Sequence, residues 1–155
     1  MTSLKRYGST ALVTGASSGI GRAFAKIFAQ RGFNLILCAR REDKLTELAA
    51  ELAPLCEAHV VALDLSKRKG PERLFAAASE IGPVDTLINN AAAAYQGRFA
   101  TMPRERIQDI VHLNMRALSD TCAHFLPQML VAKQGKILNV SSVVGFQPVP
   151  GMALY

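Results

Sequence analysis

The sequence lacks the long apolar segments that anchor a protein in a membrane. No run of 18 or more apolar residues occurs along its 155 residues, so we predict no membrane partner. The first ten residues, MTSLKRYGST, are polar and basic and lack the apolar stretch of a secretory signal. A cytoplasmic location is therefore expected.

Cysteine is scarce, and its spacing argues against two kinds of stabilised small domain. Cys38, Cys56 and Cys122 are odd in number, widely separated and without a CxxC pair. A disulfide framework or a zinc site is therefore not expected, and we predict no bound metal. Cys38 lies in the apolar run LILCA, which indicates a small buried side chain.

Charged residues make up only 19% of the chain, and bases outnumber acids by 18 to 12. The one basic cluster, KRK at residues 67–69, precedes Gly70 and Pro71, which indicate a turn. Because no aromatic residues are interleaved with it, a solvated turn is favoured over a nucleic-acid site, and we predict no nucleic-acid partner. The net charge of +6 still favours a phosphorylated ligand.

Half of the residues are hydrophobic, which is enough for one packed core. Five short apolar runs without clean alternation predict strands of a parallel sheet covered on both faces. Helical spacing fills the intervals, so residues 1–155 are predicted to form a single Rossmann-like α/β domain with a doubly wound parallel sheet. The predicted strands are ALVTG from Ala11, NLILCA from Asn34, HVVALD from His59, DTLINN from Asp85 and GKILNV from Gly135.

Apolar side chains at helical spacing predict the faces that pack on this sheet. In the first helix they are Ile20, Phe24, Ile27 and Phe28, with Gly32 as the C-terminal cap. A longer fourth helix is predicted from about residue 103 to residue 133, with a bend at Pro127. The other predicted inner faces carry Leu45, Leu48 and Leu52, then Leu74, Phe75, Ala78 and Ile81, then Ile107, Ile110, Val111, Asn114, Leu118 and Phe125.

The segment TGASSGIG at residues 14–21 joins the first predicted strand to the first helix. Gly15 permits a tight turn, Gly19 lets the backbone approach a ligand, and Gly21 lets the helix pack against the sheet. The unpaired N–H groups and partial positive charge of a helix N-terminus suit a pyrophosphate. Such glycines also occur in plain loops, but the flanking strand and amphipathic helix favour a nucleotide-binding loop.

Several motifs in order closely resemble those of the short-chain dehydrogenase/reductase family in its classical branch. They are TGASSGIG, the pair Asp64 and Leu65 in VALDLS, and NNAA at residues 89–92. Ala92 stands where the family prefers glycine, and its methyl group can crowd the cofactor ribose or disfavour a positive φ. The resemblance covers essentially the whole chain and implies a nucleotide cofactor held by Gly15, Ser17, Ser18, Gly19, Ile20, Gly21, Arg40, Asp64, Leu65, Asn90 and Ala91.

The end of the second predicted strand distinguishes between two cofactors. An acidic residue there would bind the ribose hydroxyls of NAD, but the sequence has Ala39 followed by Arg40 and Arg41. A guanidinium can bind a 2′-phosphate bidentately, whereas a carboxylate would repel it. We therefore expect NADP(H), with Arg40 as the main contact and a serine of the glycine loop assisting. The alternative is that both arginines begin a helix in solvent, beside two acidic residues.

Three polar residues are candidates for the chemistry. Asn114 lies on the inner face of the long helix, Ser142 ends the fifth predicted strand, and Tyr155 follows it by 13 residues, which matches the family's spacing. The resemblance implies that Tyr155 is the general acid toward a carbonyl oxygen, that Ser142 orients this oxygen, and that Asn114 holds a water in the proton relay. From the residues alone, a buried structural amide, a capping hydroxyl and a packing tyrosine remain open interpretations.

The resemblance also implies features beyond the last residue of the sequence. The family has a lysine four residues after the tyrosine, which lowers the phenol pKa from about 10. Since the sequence ends at Tyr155, we expect the amino-terminal portion of a longer enzyme, without the carboxyl-terminal strands and helices and inactive on its own. The full-length form is expected to self-associate through the long fourth helix.

The function expected from these features is an NADP(H)-dependent oxidoreductase that acts on a small-molecule carbonyl or alcohol substrate. One alternative is a non-catalytic nucleotide-binding or regulatory module that has lost the active-site lysine. A second alternative, another doubly wound enzyme such as a nucleotide-dependent transferase, is disfavoured because it has no need of Asn114, Ser142 and Tyr155 together.

Overall fold

A computed structural model describes residues 9–155 as five strands and the helices between them. All five predicted strands are confirmed, with bounds that differ by at most two residues. The interpretation of the N-terminus rests largely on residues 1–8, which lie outside the described range. The strands are β1 (Thr10–Thr14), β2 (Asn34–Ala39), β3 (Ala58–Ala62), β4 (Thr86–Asn89) and β5 (Lys136–Asn139). The α-helices are α1 (Gly19–Gln30), α2 (Glu42–Leu52), α3 (Gly70–Ile81), α4 (Arg104–Val111) and α5 (Leu118–Val131).

The strands form one parallel sheet in the order β3-β2-β1-β4-β5. The chain first winds from β1 through β2 to β3 and then crosses back to place β4 on the other side of β1. Ligands of open α/β sheets bind at the carboxyl ends of the strands, at this reversal of direction. The predicted doubly wound Rossmann-like sheet is confirmed.

Alternate residues of each strand enter two separate cores, one on each face of the sheet. Val13 and Leu37 pack with the inner sides of α1 and α2. Leu12 and Ile36 pack on the opposite face with side chains of α3 and α5, among them Phe125. Because both faces of the sheet are covered, its strands read as continuous apolar runs rather than as alternating ones.

The predicted inner face is correct for α2 but only partly correct for α1. Leu45, Leu48 and Leu52 are all buried, whereas Ile20 and Ile27 are 59% and 46% exposed. Small side chains occupy the buried stripe of α1, which lets the helix approach the sheet closely and leaves larger residues at its margins. The buried residues are Gly21, Ala25 and Ala29, with Phe24 and Phe28 partly buried beside them.

The predicted long fourth helix is divided into three parts. Between α4 and α5 lies a π-helical segment, His112–Ala117, which contains Asn114. Pro127 lies inside α5, so the change in helical geometry occurs well before the residue at which a bend was expected. Short π-helical segments are frequent at functional sites because they turn side chains away from the ordinary helical positions.

A short turn precedes α3. Residues 67–69 form the predicted exposed turn, but Gly70 and Pro71 do not belong to it. They begin α3 instead, where the fixed φ of proline suits the first helical turn.

None of the helices within residues 9–155 is both long and apolar enough to cross a bilayer.

The Thr14 hydroxyl ties the end of β1 to the end of β4. Its Oγ1 donates a hydrogen bond to the carbonyl oxygen of Ile88 at 3.2 Å and accepts hydrogen bonds from the N–H groups of Asn90 and Ala91, both at 3.0 Å. These three bonds use the full capacity of a hydroxyl group, and Thr14 is only 2% exposed. The Thr14 side chain therefore holds the loop after β4 against the glycine loop after β1.

Replacing this hydroxyl tests its contribution to stability. Thr14→Val should lower the free energy of unfolding by about 2–4 kcal/mol, because two partly buried N–H groups and one carbonyl group lose their partner. Urea unfolding followed by circular dichroism measures this change. The matched control is Thr46→Val, at an exposed position of α2, which should change stability by less than about 0.5 kcal/mol. Equal losses in the two variants would contradict the role of Thr14.

Candidate functional site

A cavity of about 490 Å³ opens at the carboxyl ends of β1, β2, β3 and β4. It brings together all of the residues predicted to hold a cofactor except Gly21. The residues that line it are Gly15, Ser17, Ser18, Gly19, Ile20, Cys38, Ala39, Arg40, Arg41, Leu63, Asp64, Leu65, Asn90, Ala91, Ala92 and Leu113.

The glycine loop forms one wall of this cavity and lies against Asn90. Gly15 has a φ of 68°, and a Cβ atom there would lie 2.7 Å from Asn90 Nδ2. The Asn90 amide nitrogen donates to the carbonyl oxygens of Thr14 at 3.0 Å and of Gly15 at 3.4 Å. Gly21 lies behind the loop, where a side chain would collide with the Gly15 carbonyl group. The close approach at Gly21 is therefore to the glycine loop itself.

The N-terminus of α1 presents unoccupied donors to the cavity. Ser18 is the N-cap residue, and its side chain makes no capping hydrogen bond. The first turn of the helix contains no acidic residue. Because the first N–H groups of a helix have no intrahelical partner and carry a partial positive charge, this end of α1 can bind an anion.

Two guanidinium groups stand at the end of β2, where Ala39 supplies no carboxylate. Arg40 and Arg41 both line the cavity. Arg41 Nη2 donates to Ser17 Oγ at 3.2 Å, which links the loop after β2 to the glycine loop. Arg41 is also the residue before the first turn of α2, and that turn contains Glu42 and Asp43. The arginine pair therefore lines the cavity, as expected of a cofactor contact, and it also precedes a helix, as the alternative interpretation expected.

Among the described residues that line the cavity, Asp64 is the only one with a carboxylate side chain. Its Oδ1 accepts hydrogen bonds from the Ser66 hydroxyl at 2.7 Å and from the Ser66 N–H group at 3.0 Å. Partial burial raises the pKa of Asp64, but the two bonds from Ser66 and the positive charges of Lys67 and Arg40 outweigh it and lower the pKa below its ordinary value. Asp64 is therefore an ionised acceptor on the side of the cavity formed by β3.

Asn89, at the end of β4, joins three elements through its side chain. Its Oδ1 accepts a hydrogen bond from Thr121 Oγ1 of α5 at 2.9 Å, and its Nδ2 donates to Asn139 Oδ1 of β5 at 2.9 Å. Asn89 is 5% exposed. This pair of bonds fixes the position of β5 relative to β4 at the edge of the sheet where Asn90 and Ala91 begin the next loop.

The side-chain amide of Asn114 hydrogen-bonds to the backbone of the loop after β4. Its Oδ1 accepts from the Ala93 N–H group at 2.9 Å, and its Nδ2 donates to the Ala93 carbonyl oxygen at 2.8 Å. The amide thus links the π-helical segment to the loop after β4 and uses one donor and one acceptor in doing so. Its neighbour Leu113 lines the cavity, whereas Asn114 does not.

Ser142 and Tyr155 lie outside this cavity. Ser142 Oγ accepts a hydrogen bond from the Val144 N–H group at 3.3 Å and so caps the 3₁₀ helix Val143–Gly145. Tyr155 is 38% exposed and lines a different cavity, formed by residues of the segment that follows Ser142. The described structure therefore brings most of the predicted cofactor contacts together in one cavity, whose lining includes none of the three predicted catalytic residues.

Several residues of the site carry no clear signal in the sequence. Leu63 and Leu113 line the cavity as ordinary apolar residues. Thr14 begins the motif TGASSGIG, but its hydrogen bonds to the loop after β4 were not predicted. The concern that Ala92 requires a positive φ is not supported, because within residues 9–155 Lys133 is the only non-glycine residue with a positive φ.

The buried thiol in the cavity lining has a packing role. Burial raises the pKa of Cys38 to about 12. Its sulfur is therefore neutral at physiological pH and unsuited to nucleophilic chemistry. Among residues 9–155 no group of three or more His, Cys, Asp or Glu side chains could hold a metal ion.

Comparison with known proteins identifies the family of this chain. The family model described as short chain dehydrogenase matches residues 9–155. Sulfoacetaldehyde reductase 2 of Chromohalobacter salexigens is 36% identical over 151 residues, which cover 93% of this chain and 58% of that protein. The chain spans about half the length of the curated relatives it matches.

Solved structures share the fold described above. A metagenomic short-chain oxidoreductase in complex with NADP has a TM-score of 0.92 at 34% identity, covering 99% of this chain and 69% of that one. The bulky-bulky ketone specific alcohol dehydrogenase from Comamonas testosteroni has a TM-score of 0.89 at 36% identity, covering 95% of this chain and 60% of that one. With a family match over the whole described range and this shared fold, the chain belongs to the short chain dehydrogenase family of oxidoreductases.

Proposed function

We propose that the protein is an NADP(H)-dependent oxidoreductase that interconverts a carbonyl compound and its alcohol. The observation that carries this proposal is the pair of guanidinium groups, Arg40 and Arg41, beside Ala39 in the lining of the cavity. A 2′-phosphate is a dianion that these groups can bind with charge-assisted hydrogen bonds. Further support comes from the solved relative of this fold that contains NADP.

The remaining lining residues suit the other parts of the cofactor. The N-terminus of α1, at Gly19 and Ile20, is the site for the pyrophosphate. Asp64 and Leu65 are assigned to the adenine side of the cavity, where an ionised carboxylate accepts hydrogen bonds from an amino group. The assigned position of the nicotinamide ribose is beside Asn90 and Ala91, next to β1.

A bound nicotinamide would supply or accept the hydride, and residues of this chain would donate or accept the proton. In carbonyl reduction, the Tyr155 hydroxyl is assigned to donate its proton to the carbonyl oxygen as negative charge develops there. Ser142 Oγ is assigned to donate a hydrogen bond to the same oxygen and orient it. Its observed bond from the Val144 N–H group uses an acceptor position and leaves the hydroxyl proton free for this purpose.

Asn114 is assigned to hold a water in the path that resupplies the proton. Its observed bonds to Ala93 use one of two amide hydrogens and one of two carbonyl lone pairs. The second hydrogen and the second lone pair are therefore sufficient to bind a water while the structural link to the loop is kept.

The substrate is a small molecule, and the relatives differ in which one they act on. At 36% identity, one is named for sulfoacetaldehyde, an anionic aldehyde, and another for bulky ketones. Identity at this level therefore does not select between charged and apolar substrates. Self-association through the region of α4 and α5 stays a prediction, and Met115, Leu126 and Leu130 are exposed apolar residues of this region.

The preference for NADPH depends on the charge at Arg40. In Arg40→Asp, a carboxylate faces the position of the 2′-phosphate, so affinity for NADPH should fall by about 10- to 100-fold while affinity for NADH is kept or improved. Fluorescence titration of both cofactors measures the ratio of their dissociation constants. The matched control is Arg68→Asp in the exposed turn before α3, which should leave the ratio unchanged. Equal affinities for the two cofactors in the unmodified protein would refute the assignment of Arg40.

The effects of Tyr155 and Ser142 on catalysis can be measured separately from their effects on cofactor binding. In the protein at its full natural length, Tyr155→Phe and Ser142→Ala should each lower kcat by at least about 100-fold, because they remove hydrogen-bond donors to the developing oxyanion. Affinity for NADPH should change by less than about two-fold, since neither residue lines its cavity. The control for the serine is its exposed neighbour, as Ser141→Ala, which should retain activity.

The same measurements distinguish the catalytic proposal from a non-catalytic module. A protein that binds NADPH tightly and shows no turnover with a panel of aldehydes and ketones is a nucleotide-binding or regulatory protein. Turnover that is unaffected by Tyr155→Phe would instead show that a different group donates the proton.

A further inference from the structure

Ser66 is a buried polar residue beside the cavity, and the proposed function gives it no role. It is 8% exposed and does not belong to the cavity lining, whereas Asp64 does. The Ser66 hydroxyl group donates a hydrogen bond to Asp64 Oδ1 at 2.7 Å, and its N–H group donates to the same oxygen at 3.0 Å. Any effect of Ser66 on a ligand in the cavity therefore passes through Asp64.

The backbone of Asp64 is fixed independently of its side chain. Its carbonyl oxygen accepts a hydrogen bond from the Lys67 N–H group at 3.2 Å. The start of α3 packs directly on this backbone, since a Cβ atom at Gly70 would lie 2.7 Å from the Asp64 carbonyl oxygen and 2.9 Å from Leu65 Cα. The remaining freedom of Asp64 is the rotation of its side chain, which the two bonds from Ser66 restrict.

The two oxygens of the Asp64 carboxylate have different surroundings. Oδ1 accepts both bonds from Ser66, whereas Oδ2 accepts no hydrogen bond from residues 9–155, the range that the structure describes. Within the same range, the nearby cations Lys67 and Arg40 form no salt bridge with Asp64. Oδ2 is therefore the carboxylate oxygen that is available to a ligand.

An ionised carboxylate only accepts hydrogen bonds. Partial burial raises the pKa of Asp64, but the bonds from Ser66 and the charges of Lys67 and Arg40 outweigh this effect, so the group is ionised at neutral pH. Adenine has an amino group, a donor, at position 6 of its ring, whereas hypoxanthine, like guanine, has a carbonyl oxygen there. An ionised Oδ2 therefore attracts the first group and repels the second.

We propose that Ser66 is a positioning residue that fixes the Asp64 carboxylate with Oδ2 toward the base, and that the protein thereby selects adenine over a 6-oxopurine in its cofactor. The proposal rests on the proposed function, which assigns Asp64 to the adenine side of the cavity. Without the Ser66 hydroxyl group, the carboxylate is freer to rotate, and it has to be ordered when the cofactor binds. The bond to the amino group is then weakened, while no contact that both bases share is removed.

Two cofactors that differ only at position 6 of the base test the proposal. Deamino-NADPH contains hypoxanthine in place of adenine and keeps every phosphate group and the nicotinamide. With the protein at its full natural length, the dissociation constant of deamino-NADPH should exceed that of NADPH by at least about 5-fold, because repulsion between acceptors replaces a hydrogen bond to a charged group. Fluorescence titration of the reduced nicotinamide measures both constants. Equal constants would overturn the proposal.

Ser66→Ala separates a positioning role from a merely structural one. It should lower the ratio of the two dissociation constants by at least about 3-fold, chiefly by weakening the binding of NADPH. Ser66→Thr keeps a hydroxyl group and should restore the ratio. A structural role alone would weaken the binding of both cofactors equally and leave the ratio unchanged, which would contradict the proposal.

The matched control for this substitution is Ser79→Ala. The Ser79 hydroxyl group also donates to an oxygen atom, the Phe75 carbonyl oxygen at 2.8 Å, but Ser79 is an exposed residue of α3 outside the cavity lining. Its removal should leave both dissociation constants unchanged. An equal change of the ratio in Ser66→Ala and Ser79→Ala would show that the effect does not pass through Asp64, and the proposal would be wrong.

Replacing the carboxylate by an amide should reverse the preference. In Asp64→Asn, both bonds from Ser66 require an acceptor, so they hold the amide oxygen in the place of Oδ1 and leave the amide nitrogen, a donor, in the place of Oδ2. This donor suits the 6-oxygen of hypoxanthine, so deamino-NADPH should bind more tightly than NADPH. If Asp64→Asn keeps the original preference for NADPH, another group recognises the base and the proposal is overturned.

Binding and turnover distinguish this proposal from the proposed function, because the dissociation constants require no substrate. If the ratios change as expected in a protein that reduces no aldehyde or ketone, the role of Ser66 is supported and the oxidoreductase assignment is refuted. If the protein reduces a ketone with NADPH but Ser66→Ala leaves the ratio unchanged, the oxidoreductase assignment stands and the role of Ser66 is refuted. A protein that binds neither cofactor would refute both.

Discussion

The site depends on one hydroxyl group, that of Thr14, at the end of β1. The sheet reverses direction between β1 and β4, and this reversal creates the crevice in which a nucleotide can lie. A crevice of this kind has loops on both sides, and its width is fixed only if the loops are held together. Thr14 does this by bonding to Ile88, Asn90 and Ala91 with all three of its hydrogen-bonding positions.

The loop after β4 is held by several further contacts, each from a different element. Asn89 bonds to α5 and β5 through Thr121 and Asn139. Ala93 is gripped by Asn114 from the π-helical segment. Because these bonds satisfy polar groups that are partly or wholly buried, each restricts where the loop backbone can go. A loop that is held by β1, α5, β5 and the π-helical segment can present Asn90 and Ala91 to a ligand without the entropic cost of ordering them on binding.

The sequence was sufficient for the architecture because strand runs, helix faces and turn residues agreed with one another. Leu45, Leu48 and Leu52 were placed correctly because periodicity reports burial directly when the inner face is large and apolar. The inner face of α1 was predicted only in part. Its buried residues, Gly21, Ala25 and Ala29, are small, and small residues indicate burial less clearly than the large apolar side chains of Ile20 and Ile27. Most of the residues that line the cavity could be predicted because a glycine loop and an arginine pair are local features of the sequence.

Hydrogen bonds between segments that are distant in the sequence could not be predicted from residue patterns. The hydrogen bond between Arg41 and Ser17 joins residues of two loops that no sequence spacing relates. The π-helical segment at His112–Ala117 is equally hidden, since its residues continue the apolar pattern of an ordinary helix. Its effect is local but important, because Asn114 reaches the Ala93 backbone from within it. Such features follow from packing in three dimensions rather than from propensity.

The distribution of charge around the cavity would give a bound dinucleotide a direction. The first cavity has Arg40, Arg41 and the free N–H groups of α1, all of which favour phosphate groups. Residues 137–155, which carry Ser142 and Tyr155, contain no Asp, Glu, Lys, Arg or His. A dinucleotide with all of its negative charge on phosphates gains most when these lie at the arginine side. Its nicotinamide end would then lie away from the arginine pair, so under the proposed function the same charges that favour NADP(H) would also fix which end of the cofactor lies beside the arginines.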